Sequence, residues 1–398
     1  MNDQPRRISG DFAYATPSGE PPAWPGVSYE EYLSGADQYA AAMVPQIAGL
    51  DPQLDSRTQA LVEQATMDLV RLDAELGEKP QLASLLLQGE AAASSRIENV
   101  SAGAQEISTA RLVGRWDIPD TPAGEVVDSL LALQRALELS GDLSLKSIAV
   151  INFGLLERTN HDNAGVYRRT QNWIGGRSPQ TARYVPPHGD RVITDVDDVV
   201  DFMARDDIPV LTQAALAHAQ FEAIHPFADG NGRTGRALVA AMLKDKGITR
   251  HVGIPISAGL LATGTRAYIS ALTEYRDGNI QPIVELFAIS TFHAVHSARR
   301  LGRDVRDAED FFRGAIGDMP PSVRRVLEML PDRPVLTAEM VAARSGLSAA
   351  TAYRAVERLE AAGILVPAGK LNGTRLWAAE AIINALDDFA GRAAVAAE

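Results

Sequence analysis

A short segment rich in glycine and charged residues, residues 225–236, separates two runs of helix-forming residues and constrains the fold more than any other part of the chain. The run before it, residues 211–224, has the composition of a helix that Pro226 must end near His225. Helical composition resumes at residues 236–246. The sequence therefore predicts two helices joined by this segment.

The residue types in the segment favour phosphate binding. Gly230 and Gly232 allow the positive φ angles at which backbone N–H groups turn inward around an anion, and Asn231 adds a side-chain donor. Arg233 and Arg236 are three residues apart, so on a helix they share one face near its N-terminal end, where negative charge is stabilised. The segment therefore predicts a polyphosphate site.

Two more side chains in the segment complete a reactive centre. Asp229 suits Mg²⁺, which takes one or two carboxylates and fills its shell with water and phosphate oxygens. His225 suits a proton acceptor. A lone Gly-Asn-Gly is usually an ordinary turn and a lone His-Pro usually marks a helix end, but their combination is far rarer than either.

The segment, written out, is His-Pro-Phe-Ala-Asp-Gly-Asn-Gly-Arg-Thr-Gly-Arg. It resembles the Fic family signature, His-Pro-Phe-x-Asp/Glu-Gly-Asn-Gly-Arg-x-x-Arg, at every specified position. Fic proteins are mostly protein adenylyltransferases, which move AMP from ATP to a Ser, Thr or Tyr hydroxyl of a target protein and release pyrophosphate. The resemblance also implies the fold class: mainly α, a Fic-type helical bundle with a β-hairpin flap.

The resemblance implies a role for each residue of the segment. His225 deprotonates the incoming hydroxyl, Asp229 holds Mg²⁺, and Phe227 is a core residue that fixes the loop. The phosphates of ATP are held by the glycine loop and by two arginines: Gly230, Asn231, Gly232, Arg233 and Arg236. Such a site works by positioning and electrostatic stabilisation, with base catalysis contributing about 10²–10⁴-fold.

A second motif begins at Ser94 and ends with Glu98 and Asn99. On a helix Ser94 and Glu98 fall on one face, near the predicted C-terminal end. From the residue types alone, Glu98 is expected to be an ordinary solvent-exposed glutamate. The segment is similar to the Ser/Thr-x-x-x-Glu-Gly/Asn inhibitory motif of Fic proteins, however. That resemblance implies autoinhibition, in which Glu98 forms a buried ion pair with Arg236 and prevents productive binding of the γ-phosphate.

Residues 167–192, here called the flap segment, have the composition of an exposed hairpin, with a turn at Gly175-Gly176 and a stop at Pro186-Pro187. An ordinary surface hairpin is the alternative to a functional one. In the Fic family this place is the flap, which aligns the target by strand addition. The residues expected near the target are Trp173, Ile174 and Tyr184.

Tyr268 is the one candidate for contact with the nucleotide base. Relatives often carry two adjacent tyrosines at this place, whereas here the first of the two is Ala267. Packing within a helix is the alternative role for Tyr268. The choice between base contact and packing stays open at the level of sequence.

Composition predicts a cytoplasmic protein without disulfides or a transition metal. The 398 residues include no cysteine, carry a formal net charge of −13, and are 46% hydrophobic, enough for a sizeable core. No stretch approaches the roughly 18 apolar residues of a membrane span, and residues 1–7 lack the apolar segment of a secretory signal. The charge argues against non-specific nucleic-acid binding by the whole chain. Resemblance to the family implies a homodimer.

The C-terminal part of the chain predicts a winged helix-turn-helix. Residues 336–348 and 349–363 form two helical runs with Ser348 as N-cap, and a short hairpin with Trp377 follows as the wing. Residues 321–378 hold eight Lys/Arg and five Asp/Glu, a weak excess for DNA binding, so the partner is either DNA or a protein.

Helical patterns are expected to dominate from Tyr29 onward. The predicted domains are an irregular N-terminal arm (1–27), a helical region with the inhibitory helix (28–140), a Fic catalytic core (141–300), a linking helix (301–320) and the winged-helix domain (321–398).

Two classes of function compete. The first is an autoinhibited adenylyltransferase that uses ATP and Mg²⁺ on a target protein and on itself. The second is a nucleotide-sensing, DNA-binding regulator. The intact motif favours the enzyme, because a sensor has no physical need of His225. Within the enzyme class, the resemblance also allows another donor, or removal of AMP.

Overall fold

A computed structural model describes residues 6–8, 24–34, 37–77, 80–251, 253–316 and 319–395. Helices predominate in this part of the chain, as the sequence predicted, and the strands form two three-stranded sheets. The helices are α1 (Ser56–Leu76), α2 (Pro80–Ile97), α3 (Ala104–Ala110), α4 (Pro122–Glu138), α5 (Leu145–Leu156), α6 (Val192–Ala204), α7 (Val210–Ile224), α8 (Asn231–Asp245), α9 (Ile256–Thr263), α10 (Thr265–Arg276), α11 (Gln281–Ile316), α12 (Pro321–Leu327), α13 (Ala338–Ser345), α14 (Ala349–Ala361) and α15 (Glu380–Val395). The strands are β1 (Arg6–Ile8), β2 (Ser28–Ser34), β3 (Asp37–Met43), β4 (Val335–Leu336), β5 (Val366–Leu371) and β6 (Thr374–Ala378).

The chain forms two compact units, each assembled from three separate stretches. Unit 1 contains residues 1–68, 131–248 and 263–291. Unit 2 contains residues 69–130, 249–262 and 292–398. Each unit therefore draws on several of the predicted domains. No described helix combines the length and the apolarity that a membrane crossing requires.

The core of unit 1 is a helical bundle built around α7. Almost every residue of α7 is buried, so this helix lies in the middle of the bundle rather than on its surface. It packs against α6, α8 and α10, and α5 packs against α8. Gln213 in the first turn of α7 donates from Nε2 to the carbonyl oxygens of Phe202 (2.8 Å) and Arg205 (2.7 Å), which fixes the start of the helix. The opposite end of α7 carries His225.

The N-terminal sheet corrects the expectation of helix from Tyr29 onward, whereas most of the arm predicted over residues 1–27 lies outside the described residues. The strands pair in the order β1-β2-β3, all antiparallel, and Tyr32 faces Tyr39 with ring centroids 5.8 Å apart. Ala42 donates its N–H to the carbonyl oxygen of Val185 (2.9 Å), so β3 is held by the flap segment. These non-local contacts override the helical composition of the segment, because strand preference depends on cross-strand neighbours.

In unit 2 the helix α2, which carries the predicted inhibitory motif at its end, is held by α9 and α15. Buried Glu90 accepts from the backbone N–H of Ser257 (2.8 Å) at the start of α9. Phe389 of α15 packs directly on Gly89, where a Cβ atom would lie 2.6 Å from the ring. A larger side chain at position 89 would therefore clash with Phe389, and the close packing fixes the position of α2 within its unit.

The C-terminal elements follow the order that the winged-helix prediction requires. Helices α13 and α14 are joined at Gly346, which has a φ of 67°, and the hairpin of β5 and β6 follows in a sheet of order β4-β6-β5. Ser348 caps α14 by accepting from the N–H of Thr351 (3.3 Å), as predicted. Tyr353 and Trp377 meet edge to face, with ring centroids 6.1 Å apart.

Asp195 is a fully buried carboxylate in the first turn of α6. Its Oδ1 accepts from Arg191 (3.1 Å) and from Gln46 (3.2 Å), whereas no described group bonds Oδ2. Burial raises the pKa of Asp195 from 3.8 to about 6, although the charge of Arg191 opposes the shift. The group is therefore ionised at neutral pH at a cost to stability.

We expect Asp195→Asn to stabilise the protein more at pH 8 than at pH 5. Because the pKa is higher in the folded than in the unfolded chain, the favourable contribution of the protonated acid is complete below about pH 4 and is lost as the pH rises through about 6. The full effect is at most about 3 kcal/mol. The amide keeps the Oδ1 acceptor and does not ionise, so urea unfolding at the two pH values measures the difference.

The matched control for this experiment is Asp197→Asn, an exposed carboxylate on the same helix, for which no such difference is expected. If Asp195→Asn is instead less stable than wild type at pH 8, the ion pair with Arg191 outweighs the cost of burial.

Candidate functional site

The predicted loop lies between α7 and α8, as expected. His225 caps α7 in a left-handed conformation, with φ 49° and ψ 62°, and donates its N–H to the carbonyl oxygen of Phe221 (2.9 Å). Gly230 precedes α8 with a φ of 74°. A Cβ atom at position 230 would lie 2.6 Å from Leu155 Cδ2, so both conformation and space require glycine there.

Asn231 holds this loop together. Its Oδ1 accepts from the N–H of Phe227 (2.8 Å), and its Nδ2 donates to the carbonyl oxygen of the same residue (2.9 Å). Phe227 is fully buried, with its ring 4.8 Å from that of Tyr167, which agrees with the predicted core role. The predicted phosphate contact by Asn231 must therefore use the second hydrogen of Nδ2.

Asn152 of α5 is a residue that the sequence did not point out. It is fully buried and donates from Nδ2 to the carbonyl oxygen of Asp229 (3.1 Å) and to Thr234 Oγ1 (3.2 Å). Its Oδ1 accepts from the N–H of Gly165 (3.0 Å). One amide thus ties the glycine loop and the first turn of α8 to the bundle. No sequence signal marks it, because a buried asparagine in a helix has no characteristic spacing.

Arg168 is the second residue that the sequence did not single out. Its side chain is buried, and four donated bonds go to main-chain oxygens: from Nε to His225 (2.8 Å), from Nη1 to Thr170 (3.2 Å), and from Nη2 to Ile224 (3.0 Å) and Pro187 (2.6 Å). Burial lowers the pKa of Arg168 to about 10, so the group stays cationic at neutral pH.

The charged side chains of the motif gather around the loop. His225 Nδ1 lies 3.9 Å from Glu222 Oε2, one turn back on α7. Asp229 Oδ1 lies 3.9 Å from Arg233 and accepts from the N–H of Gly230 (2.6 Å). Arg236 is buried within α8. A base, a carboxylate and two cations are therefore held within one helix–loop–helix.

The donor set fits Mg²⁺ only as a phosphate-bound ion. No group of three or more His, Asp or Glu side chains suited to a metal occurs among the described residues. The side chain of Asp229 is 58% exposed, which leaves it accessible as a single ligand. One carboxylate with water and phosphate oxygens is an ordinary Mg²⁺ shell, so Asp229 suits an ion that arrives with the nucleotide.

Tyr268 lies in the core, as in the packing alternative, and the base contact considered for it is not supported. Its side chain is buried, and its hydroxyl makes a hydrogen bond of 2.6 Å with Nε2 of His218. Burial, with the charge of Arg236, lowers the pKa of His218 to about 3. The pair is therefore neutral structural support behind α8. Sequence could not separate the two roles, since both place a tyrosine on a helix.

The flap segment differs from the predicted hairpin. A single bridge joins its two arms, in which Ile174 donates its N–H to Tyr184 O (2.8 Å) and accepts from the N–H of Arg183 (3.0 Å), and a second bridge joins Tyr167 to Phe227. Tyr184 is buried and donates to the carbonyl oxygen of Ala223 (2.7 Å), so its hydroxyl is engaged within the unit, and its place near the target stays a prediction. Trp173 is 41% exposed and Ile174 half-buried.

The predicted inhibitory motif lies at the end of α2. The helix stops at Ile97, and Asn99 takes a left-handed conformation with a φ of 64°. Ser94 is buried, whereas Glu98 and Asn99 are exposed. The ion pair of Glu98 with Arg236 stays a prediction.

The chain contains a Fic domain. Residues 142–243 match the family model described as the Fic/DOC family, a range that includes Asn152, Arg168 and the whole 225–236 motif. A crystal structure of a Fic family protein from Desulfovibrio desulfuricans G20 superposes with a TM-score of 0.53 at 19% identity, covering 82% of this chain and 97% of that one. This likeness confirms the fold.

Several curated relatives are named protein adenylyltransferases. The chain is 28% identical over 151 residues to protein adenylyltransferase fic-1 of Caenorhabditis elegans, which is 37% of this chain and 27% of that protein. It is 31% identical over 121 residues to a probable protein adenylyltransferase of Aquifex aeolicus, 30% of this chain and 33% of that protein. The chain thus spans about a third or less of the length of these relatives.

Proposed function

We propose that the chain is a protein adenylyltransferase that transfers AMP from ATP to a Ser, Thr or Tyr hydroxyl of a target protein, and to itself. The observation that carries this proposal is the rigid loop between α7 and α8, where a base, a glycine-rich anion site and two arginines converge on one fixed backbone. The names of the curated relatives support the same activity.

The residues divide the proposed reaction between them. His225 takes the proton of the acceptor hydroxyl, whose oxygen forms a bond to the α-phosphorus as the bond to pyrophosphate breaks. Asn231 and the amides of Gly230 and Gly232 hold the α- and β-phosphates. Arg233 and Arg236 neutralise the outer ones.

Mg²⁺ has a supporting role in this proposal. Asp229 is the residue that would hold it. When bound, the ion neutralises charge on the phosphates as pyrophosphate leaves. Use of ATP also favours a cytoplasmic location.

Regulation by α2 is the second part of the proposal. The motif of Ser94, Glu98 and Asn99 at the end of that helix acts against productive ATP binding, with Arg236 as the partner of Glu98. Arg236 is buried but Glu98 is exposed, so we assign the loss of Glu98 a modest effect on the inhibited state, about 1 kcal/mol.

The test is incorporation of AMP from α-labelled ATP, with the protein itself and a cell lysate as acceptors. Wild type is expected to label weakly, and Glu98→Gly about fivefold more strongly, the ratio that corresponds to ~1 kcal/mol. Asp120→Gly, which removes an exposed carboxylate from another turn of unit 2, is the matched control and should behave as wild type.

Equal labelling by wild type and Glu98→Gly would rule out autoinhibition but keep the enzyme. If every variant stays unlabelled while ATP and Mg²⁺ bind, the adenylyltransferase proposal is wrong and the nucleotide-sensing regulator takes its place.

For residues 321–378 we propose a winged-helix docking module. Its exposed face includes Tyr353 and Arg354 on α14, and the wing carries Lys370 and Arg375. A mixed aromatic and basic surface suits DNA or an acidic protein. Direct binding of duplex DNA that weakens linearly in log Kd with log salt would support DNA, and absence of duplex binding at low salt would favour a protein partner.

A further inference from the structure

We propose that Arg168 is a positioning residue that couples the flap segment to the catalytic base, and so governs engagement of the acceptor rather than of ATP. The proposal rests on the proposed function, since it assigns His225 as the base. The side-chain bonds of Arg168 all end on main-chain oxygens. Within residues 225–236 the one oxygen they reach is the carbonyl oxygen of His225.

The first step in the argument is the end of α7. The last carbonyl groups of a helix have no partner within it, and a cation is favoured there by the helix dipole. The guanidinium of Arg168 takes the carbonyl oxygens of Ile224 and His225. It thereby fixes the peptide groups on either side of the proposed base in its left-handed conformation.

The second step is the flap segment. The same guanidinium binds the carbonyl oxygens of Thr170 and Pro187, which flank residues 171–186 on either side. Two more bonds reinforce this closure: Gln171 Nε2 donates to the carbonyl oxygen of Pro186 (2.9 Å), and Asn172 Nδ2 donates to that of Phe227 (3.2 Å). The 171–186 loop and the base therefore share one buried support.

The third step is separation from the phosphate side of the site. The glycine loop and the start of α8 are held by Asn152 and by Asn231, neither of which bonds the 171–186 loop. Two largely separate supports thus meet at the 225–231 loop, where they share the carbonyl oxygen of Phe227 as an acceptor of both Asn172 and Asn231. Loss of one is expected to leave the other in place.

The chemistry of the support requires arginine. Four of the five N–H groups of Arg168 are used at once, in directions fixed by the planar guanidinium. No described carboxylate lies within ion-pair distance of this cation, so its role is the orientation of carbonyl groups rather than the neutralisation of an acid. A lysine keeps the charge but has a single nitrogen and cannot reach four oxygens.

The experiment compares Arg168→Lys with Asn152→Ala, both in the full chain carrying Glu98→Gly. Three readouts are taken: the Kd of a non-hydrolysable ATP analogue by calorimetry, the rate of self-labelling at saturating ATP, and hydrogen–deuterium exchange. Arg168→Lys is expected to leave the Kd within about twofold, to lower self-labelling about 10–100-fold, and to speed exchange of the amides of Ile174 and Tyr184. Asn152→Ala is expected to raise the Kd at least about tenfold without affecting exchange in the 171–186 loop.

Two results would overturn the proposal. One is that Arg168→Lys weakens ATP binding as much as it slows labelling, which would make Arg168 a general structural residue. The other is unchanged labelling together with unchanged exchange. If Arg168→Lys does not fold, Asn172→Ala removes part of the same support. It should then lower self-labelling and speed exchange in the 171–186 loop by smaller factors, with the Kd unchanged. If the parent itself does not label, the adenylyltransferase proposal fails, while ATP binding and exchange still test the coupling.

Discussion

Replacing His225 by alanine in the Glu98→Gly background is expected to lower AMP transfer by about 10²–10⁴-fold, while the Kd for ATP stays within about twofold. In the proposed reaction the imidazole accepts the hydroxyl proton, and it is not one of the groups that we assign to the phosphates. Its backbone is held by Arg168 and by the bond to Phe221, neither of which involves the ring. Transfer is measured from α-labelled ATP, and ATP binding by calorimetry.

His161→Ala is the matched control for this experiment. His161 is an exposed histidine of the same unit whose ring packs edge-on against that of Phe153, with centroids 6.2 Å apart, so its loss should leave transfer unchanged. Retention of transfer within about threefold in the His225→Ala variant would remove His225 from the chemistry. The motif would then be a nucleotide-binding loop without a base.

Asn231→Ala is expected to cost about 3 kcal/mol of unfolding free energy and to abolish AMP transfer as well. The substitution leaves the buried N–H of Phe227 without its side-chain acceptor and removes one of the two side-chain donors to the carbonyl oxygen of Phe227, the other being Asn172, and each lost bond costs roughly 1–3 kcal/mol. Because the same two bonds fold the loop between α7 and α8, the geometry of the anion site is lost with them. Urea unfolding measures the first effect and labelling the second.

Asn163→Ala supplies the comparison for stability. That asparagine is exposed, and its side chain donates from Nδ2 to Asn160 Oδ1 (2.9 Å), so a change within about 0.5 kcal/mol is expected. A cost below about 1 kcal/mol for Asn231→Ala would mean that water replaces the lost partner, and that the loop is held mainly by Asn152. Asn231→Asp then identifies which of the two bonds matters, because it keeps the acceptor and removes the donor.

The sequence predicted what local rules determine. Pro226 and the glycines placed the loop between two helices, and Ser348 marked the start of α14 because a serine cap acts within its own turn. The resemblance supplied the family on twelve adjacent residues. In each of these cases the determining contacts lie close together in the chain, so a reader of the sequence sees both partners at once.

The sequence did not predict those features that depend on contacts between residues far apart in the chain. Strands β2 and β3 form where helix was expected, since they are stabilised by pairing with each other and with Val185. Tyr184 and Tyr268 can be buried because their hydroxyls have hydrogen-bond partners. Tyr184 bonds to the carbonyl oxygen of Ala223, and Tyr268 bonds to the ring of His218. Arg168 and Asn152 carry no signal of their own, because their partners are main-chain groups that any residue can supply.

The backbone of His225 has a consequence for how the chain responds to selection. A left-handed conformation costs a residue with a Cβ atom roughly 1–2 kcal/mol, which glycine does not incur. Position 225 is therefore a place where thermal stability and chemistry oppose each other. A variant library screened for heat resistance alone would drift towards glycine there, and a protein improved by that criterion would be an inactive one.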